Sequence, residues 1–410
     1  MITIDPPVLV PRAETPHTIA GLPLAAWTRA IRPSTIQEML GLMGRPGVIS
    51  FALGLPAPEL FPVDEYARAA DRVLFGDLDA LQYRPASREI KEHIAGLMAS
   101  RGVTVRPEQV FLTTAAQQAL SLLARVLLPP GGTVICDELV YMGFQQVVEP
   151  YAPRMLTVTS SLESGMDVDA VRAHLESGER PAFIYCVTDG HNPLGCSVSP
   201  EGRRALVELA REFRVPIVED DAYGLLHFGN PELPLRALDD EWVLYVGSFS
   251  KVLAPGFRVG WIIAPEALVP VLGCAKDGAD LDSGTFSQRL VSKYLDSGHF
   301  PRHLATIRAA YQRRRDVMIE EIRRHFPAGT RYSTPRNGAL VWVELPRALD
   351  AAALLRPALE AGVAFVPGSA FAVPGSTAGR NCMRLNFSYP SADNIREGIA
   401  RLGQVIRNAA

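Results

Sequence analysis

The chain has 410 residues, 48% hydrophobic and 21% charged, with a formal net charge of −3. This length exceeds one ordinary core and predicts two domains of unequal size, while the slight acidity excludes the basic footprint of a nucleic-acid-binding protein. No apolar run approaches the roughly 18 residues of a membrane-spanning helix, and the N-terminus MITIDPPVLVPRAETP lacks the basic start and apolar core of a signal peptide. The five cysteines form no CxxC pair, which argues against a zinc site or a disulfide framework. The expectations are a cytoplasmic protein without metal or membrane partner, its cysteines serving as small buried apolar residues.

Residues 1–33 are rich in proline and poor in periodicity, which predicts an extended arm lying over a surface or a partner subunit. Over residues 34–285 short apolar runs alternate with helical patterns. VFLTT (110–114), TVICDE (133–138), RMLTV (154–158), AFIYCV (182–187), VPIVED (215–220), VLYVGS (243–248) and VGWIIA (259–264) read as strands, with helices such as QQALSLLARVLL and EGRRALVELAREF between them. Apolar strands separated by helices predict an α/β fold, with a mostly parallel seven-stranded sheet covered by helices on both faces. Residues 286–410 change to one long helical region (286–326), then the strands LVWVEL, VAFVPG and MRLNFS and a closing helix. This is a smaller α+β domain, to which the start of the large domain is expected to contribute, with a ligand cleft between the two.

Ligands of open α/β sheets bind beyond the carboxyl ends of the strands, and four of the expected strand ends carry unusual chemistry. Thr114-Ala115-Ala116-Gln117 opens a helix whose backbone N–H groups suit a phosphate. The run from Thr188 to Gly195 holds His191-Asn192-Pro193; Asp220-Asp221-Ala222-Tyr223 and Ser248-Phe249-Ser250-Lys251 follow the next two strands, with Arg258 a little further on. Lys251 stands out because only four of the 41 basic residues are lysine. Arginine supplies positive charge nearly everywhere, whereas a lysine amine of lowered pKa can form an imine with an aldehyde. For Lys276 and Lys293 a solvated surface position is expected. An amine for an aldehyde, a carboxylate for a pyridine nitrogen, and hydroxyls, N–H groups and an arginine for a phosphate are together what pyridoxal 5'-phosphate requires. Singly, each has a plainer reading: Asp-Asp after a strand caps helices, and Asn before proline serves turns.

The segments ISFALGLPAPELFP (49–62), LQYRP (81–85), TTAAQQAL (113–120), DELVYMG (137–143), HNPLG (191–195), VEDDAYG (218–224), GSFSKVLAPGFRVGW (247–261) and MRLNFS (383–388) carry a resemblance. The chain resembles the fold type I, class I/II aminotransferases that use pyridoxal phosphate, in the branch of 2-aminoadipate aminotransferases and the aminotransferase-like part of MocR regulators. The resemblance implies an enzyme acting on an α-amino acid through an external aldimine, most simply an aminotransferase passing the amino group to a 2-oxo acid, and a homodimer with shared active sites. It implies that Lys251 carries the cofactor and shuttles the proton, and that Asp220, not Asp221, pairs with the pyridine nitrogen. Asn192 and Tyr223 would meet the ring hydroxyl and Tyr141 would stack on the ring. Thr114, Ala115, Ala116, Gln117, Ser248, Ser250 and Arg258 would form the phosphate cup, with Tyr83 contributed across the dimer. Arg384 would clamp the substrate carboxylate, and Leu53 and Gly54 would lie in the segment over the substrate.

The chain also departs from the family pattern. Ala115 and Ala116 replace a glycine and a second hydroxyl, which removes one side-chain phosphate contact. His191 and Leu194 stand in a motif that usually reads Gln-Asn-Pro-Thr-Gly, Leu53 stands where glycine is common, and Arg88, Glu92 and His93 follow LQYRP in place of a glycine and a Leu-Arg pair. One reading is drift. The other is cofactor chemistry diverted to β/γ-elimination or replacement, carbon–carbon bond formation or cyclisation, or oxidation of an amino acid, with His191 either an extra acid or base or a structural hydrogen-bonding residue. A MocR-type regulator needs a DNA-binding domain for which the arm at 1–33 is too short, and no GxGxxG follows a strand as a nicotinamide dehydrogenase would require.

Overall fold

The computed structural model describes residues 18–19, 22–25, 27–28 and 47–409, so the expected arm lies almost wholly outside the described residues. In chain order, β1 (Ile49–Ser50), α1 (Val63–Gly76) and α2 (Arg88–Ala99) precede β2 (Val110–Thr113) and α3 (Ala115–Leu127). Then come β3 (Thr133–Asp137), α4 (Met142–Val148), β4 (Arg154–Val158), α5 (Val168–Glu176), β5 (Phe183–Cys186), α6 (Pro200–Phe213) and β6 (Ile217–Asp220). β7 (Val243–Ser248), β8 (Gly260–Ile263) and α7 (Val269–Asp277) complete the sheet and its cover.

Strands β2 to β8 are the seven expected from the sequence, and they form one sheet in the order β2-β8-β7-β6-β5-β3-β4. All run parallel except β8, which is antiparallel to both neighbours. Their alternation explains the unbroken apolar runs. Val134 and Cys136 of β3 pack with Leu120, Leu123 and Phe144 on one face, while Ile135 packs with Val171, Leu206 and Ala210 on the other. Successive side chains point to opposite faces and helices cover both, so β5 to β8 are buried throughout, while the edge strand β4 keeps Arg154 exposed.

Ser87, Asp167 and Ser199 open α2, α5 and α6 by accepting the N–H groups of Ile90, Ala170 and Gly202, the capping bond such residues supply. Helix α3 has no side-chain cap, and its first residue, Ala115, takes a left-handed φ of 60°.

The helical stretch expected as one unit is two helices, α8 (Thr285–Asp296) and α9 (Phe300–His325). Gly298 breaks it with φ of 73°, and Pro301 in the first turn of α9 cannot donate to a preceding turn. Helix α8 packs on α1 and α2. A four-stranded antiparallel sheet, in the order β9-β10-β13-β12, contains β9 (Arg331–Tyr332), β10 (Leu340–Glu344), β12 (Val366–Pro367) and β13 (Cys382–Asn386). Helices α10 (Ala351–Glu360) and α11 (Ala392–Ala409) accompany it, α11 lying along α9. Strand β11 (Val363–Ala364) pairs parallel with β1, which ties the first described segment to this second unit.

Two expectations are corrected. Lys276 is not a surface lysine: it is buried, with Nζ donating to Gln118 Oε1 at 2.8 Å and Asp280 Oδ1 at 2.7 Å, so burial is offset by pairing. Cys274 is exposed while the other four cysteines are buried, and none is paired. No described helix is long and apolar enough to cross a membrane.

Gly247 in β7 lies under the Trp261 ring of β8, and a Cβ there would run into that ring. Gly247→Ala is expected to cost about 1–3 kcal/mol through overpacking, read as a lower urea midpoint with an unchanged m-value.

Candidate active site

The parallel register gathers the last residues of β2, β3, β5, β6 and β7, namely Thr113, Asp137, Cys186, Asp220 and Ser248, at one edge of the sheet. Antiparallel β8 brings Gly260 to the same edge, opposite Thr113 and Ser248, and so delivers Arg258 there as well. The four chemistry-bearing loops picked from the sequence therefore converge. From the small sheet, Arg384 of β13 sits between Trp342 and Val366 of its neighbours. Residues directly opposite on adjacent strands share a face, and Trp342 and Val366 pack with Leu53, Met142 and Leu194 of the larger unit. Arg384 thus lies on the face that meets the first four loops.

Lys251 ends a short turn whose first residue, Ser248, accepts the Ser250 N–H at 3.1 Å and donates to Ser250 Oγ at 2.9 Å. Its Nζ donates to the Gly54 carbonyl at 2.6 Å and stands 5.7 Å from the centre of the Tyr223 ring. Burial, helped by the positive charges of Arg384 and Arg258, lowers this amine to about 8. Gly54 leaves the space in which the Tyr223 hydroxyl sits, since a Cβ on it would lie 2.9 Å from that oxygen.

Asp220 Oδ2 accepts the Tyr185 hydroxyl at 2.7 Å, while its Oδ1 is buried without a partner. Burial pushes this carboxyl up to about 6, although Tyr185 pulls the other way. Asp221 is differently placed: it pairs with Arg101 and accepts the Tyr245 hydroxyl at 2.9 Å and the Gly224 N–H at 2.7 Å. Tyr141 donates to Gln117 Oε1 at 3.2 Å, and Gln117 donates to the Gly143 carbonyl at 2.8 Å. Burial raises Tyr141 to about 12 and also raises Tyr223, so both phenols are protonated at neutral pH.

Arg384 Nη1 donates to Asn192 Oδ1 at 2.9 Å, Nη2 donates to the Ala52 carbonyl, and Nε is buried without a partner. No carboxylate pairs with it among the described residues, and burial lowers it to about 10. A buried cation held only by neutral acceptors is a ready site for an incoming anion.

Other sequence-chosen residues have local partners. Thr114 Oγ1 donates to Asp280 Oδ2 at 3.2 Å and lies 3.2 Å from Ser283 Oγ, and the exposed Arg258 donates to the Thr114 carbonyl at 3.4 Å. Ala116 and Gln117 follow Ala115 in the uncapped first turn of α3. Leu53 is buried in the apolar cluster with Trp342 and Phe371, and Tyr83 is 81% exposed. His191 is buried; its Nδ1 accepts the Leu194 N–H at 3.3 Å, so the Nε2 proton faces Asp137 Oδ2 at 3.1 Å. This geometry holds the loop before Asn192, whose bond to Pro193 is cis.

Sequence reasoning missed Tyr185, which lies inside an apolar strand and stacks on Phe144 with ring centres 3.8 Å apart. Its hydroxyl was the one available signal, because a buried tyrosine oxygen needs a partner. It also missed Asp189, held by Arg203 Nη2 and Asn337 Nδ2, each at 2.7 Å. Nothing in the spacing of these residues announces the contact.

Comparison with known proteins agrees with this geometry. The sequence profile of the family described as "Aminotransferase class I and II" matches residues 47–402. The 2-aminoadipate transaminase of Thermus thermophilus is 42% identical over 387 residues, covering 92% of this chain and 94% of that protein. The aromatic-amino-acid aminotransferase 1 of Thermococcus litoralis is 36% identical, with 92% of each chain covered. Among solved structures, an α-aminoadipate aminotransferase from Thermus thermophilus, complexed with N-(5'-phosphopyridoxyl)-L-leucine, superposes with a TM-score of 0.87 at 38% identity, over 94% of this chain and 97% of that one.

The lowered Lys251 amine has a direct readout. Acylation of the cofactor-free protein, followed by peptide mass spectrometry, should label Lys251 with a rate that rises through about pH 8 and then levels, because the neutral amine is the nucleophile. A midpoint near the ordinary lysine value of about 10.4 would contradict the assigned environment.

Proposed function

The chain belongs to the aminotransferase class I and II family, and on that premise we propose that it is a pyridoxal 5'-phosphate-dependent transaminase that moves the amino group of an α-amino acid to a 2-oxo acid. The observation that carries the reading is the presence, within electrostatic reach of each other, of a half-buried amine lowered to about 8, Lys251, and a buried carboxylate oxygen that has no partner, Asp220 Oδ1. The remaining residues fit the cofactor as well. Asp220 Oδ1 suits a protonated ring nitrogen, Asn192 and Tyr223 the ring hydroxyl, and Tyr141 the ring face. The uncapped start of α3 (Ala115, Ala116, Gln117), with Thr114, Ser248, Ser250 and Arg258, suits a phosphate dianion. When bound, the cofactor supplies an electron sink for a bond broken at the substrate α-carbon.

The protein's own contributions follow from charge and position. Arg384 binds the substrate carboxylate through a guanidinium already fixed by Asn192 and Ala52. Lys251 Nζ takes the proton from the α-carbon, a task suited to an amine near neutrality. A cation against Asp220 Oδ1 favours its charged form and opposes the burial that raises it. The relatives' activities favour transamination over elimination, replacement, cyclisation or oxidation, and the buried His191–Asp137 pair supports a structural role for His191.

We further propose a homodimer in which Tyr83 completes the phosphate cup of the opposite subunit. Leu74, Phe75, Leu78, Leu81 and Tyr83 are all exposed, Phe75 by 90%, and so form an apolar strip suited to a second copy of this chain. Five unpaired cysteines support a reducing compartment, the cytoplasm.

Incubation with an amino acid alone should convert the bound cofactor stoichiometrically to its pyridoxamine form, and added 2-oxo acid should restore it. Persistent coloured species without the amine form would favour the diverted chemistry. Lys251→Ala should lower kcat by at least about a hundredfold, as expected for loss of the proton-transfer group. Mixed dimers of Lys251→Ala and Tyr83→Ala chains should contain one intact and one doubly altered site, and so recover activity that neither parent shows. Lack of recovery would count against the shared site.

A further inference from the structure

A second group of buried charges lies beside the site, and the proposed chemistry leaves it unused. Asp220 and Asp221 are successive residues and both are buried, so two carboxylates share one poorly hydrated loop. Their partners differ. Tyr185, on the β5 side of β6, donates to Asp220, while Tyr245, on the β7 side, donates to Asp221. Of the two, Asp221 alone has a close ion pair, while Asp220 is reached by the charge of Lys251 without contact. Arg101, just beyond the end of α2 and 6% exposed, pairs with it and also reaches the Tyr245 hydroxyl at 3.2 Å and Asp189 Oδ2 at 3.5 Å.

The surroundings of Arg101 show how its charge is used. Asp189 already has Arg203 and Asn337. Glu219 accepts the Thr188 hydroxyl at 2.9 Å and the N–H groups of Leu235 and Arg236, and burial followed by the charge of Asp221 pushes it up to about 7. His227 and Arg308 also stand within reach of the Arg101 charge. Among the described residues Arg101 is the one cation ion-paired with Asp221; Arg203 reaches Asp221 only at longer range. Two adjacent buried carboxylates repel strongly in a low dielectric, and Asp221 acts on Asp220 in that sense.

We propose that Arg101 is a positioning residue of the active site: by pairing with Asp221 it confines the unmatched negative charge of this loop to Asp220, the carboxylate that meets the cofactor ring. This rests on the assignment of Asp220 above. Arg101 touches neither substrate nor cofactor and acts through Asp221.

The test compares Arg101→Gln, Asp221→Asn and the double variant as holoenzymes, reading the pH midpoint of the bound cofactor's absorbance change, kcat, KM and the thermal midpoint. Arg101→Gln leaves extra negative charge beside Asp220 and should raise the absorbance midpoint; Asp221→Asn leaves extra positive charge and should lower it. Shifts of about half a pH unit or more, a roughly threefold change in the protonation equilibrium, are expected in opposite directions. Both single variants should lose kcat while KM for the amino acid stays within about threefold, because Arg384 is untouched. The double variant should restore the midpoint and most of kcat even where its thermal midpoint stays low, a coupling that additive structural damage cannot produce. Shifts in the same direction, or losses that follow thermal stability alone with no recovery in the double variant, would overturn the proposal. If one single variant fails to fold, the sign given by the other together with recovery in the double variant still decides. A parent protein that binds no cofactor would instead sink the reading of Lys251 and Asp220.

Discussion

Burial of charge without full compensation is the constraint on which the site depends. Lys251, Asp220 and Arg384 share a space poor in water, and each keeps an unmet demand: an amine lowered to about 8, a carboxylate oxygen without a partner, a guanidinium nitrogen without an acceptor. Desolvated ions are costly, so such a cluster persists only on a rigid frame. The frame here is the packed sheet, whose β6 and β7 are buried along their whole length and carry Asp220 and Lys251 at or just beyond their ends. On the proposed reading the unsatisfied groups are the chemical capacity of the protein, and the packed core around them holds them in place.

Most of this was legible in the sequence, for identifiable reasons. The inner sheet strands are buried on both faces and read as apolar runs between amphipathic helices, and even the less buried edge strand β4 keeps apolar residues, so each was found within a residue or two at either end. The edge at which they terminate follows from parallel topology, which is why Lys251, Asp220, Asn192 and Thr114 could be grouped before their positions were known. The antiparallel course of β8 was not legible, because direction leaves no mark on an apolar run of four residues. Nor was the break at Gly298 anticipated, since the apolar spacing resumes on its far side. Long-range polar partners such as Tyr185 with Asp220, or Asp189 with Arg203 and Asn337, depend on three-dimensional proximity that spacing does not encode.

The departures from the family pattern gain physical meaning from the coordinates. Ala115 occupies a left-handed conformation at φ 60° that favours glycine, so the chain tolerates a side chain where the turn would be easier without one. His191 replaces an amide yet still satisfies both ring nitrogens, one from the loop backbone and one at Asp137, which also accepts the Ser160 hydroxyl. The His191 bonds brace the loop that carries Asn192.

The bracing of Arg384 has a consequence for selectivity. Its guanidinium is buried and held by Asn192 and Ala52. On the proposed assignment of Arg384 to the substrate carboxylate, the entropy and desolvation losses of fixing that grip are met during folding, and an arriving amino acid does not have to supply them. A simple amine, which could reach Lys251 but brings no carboxylate, would leave the guanidinium as hungry as before and would gain little from entering. On that assignment, rejection of such decoys is built into the fold, ahead of any chemical step.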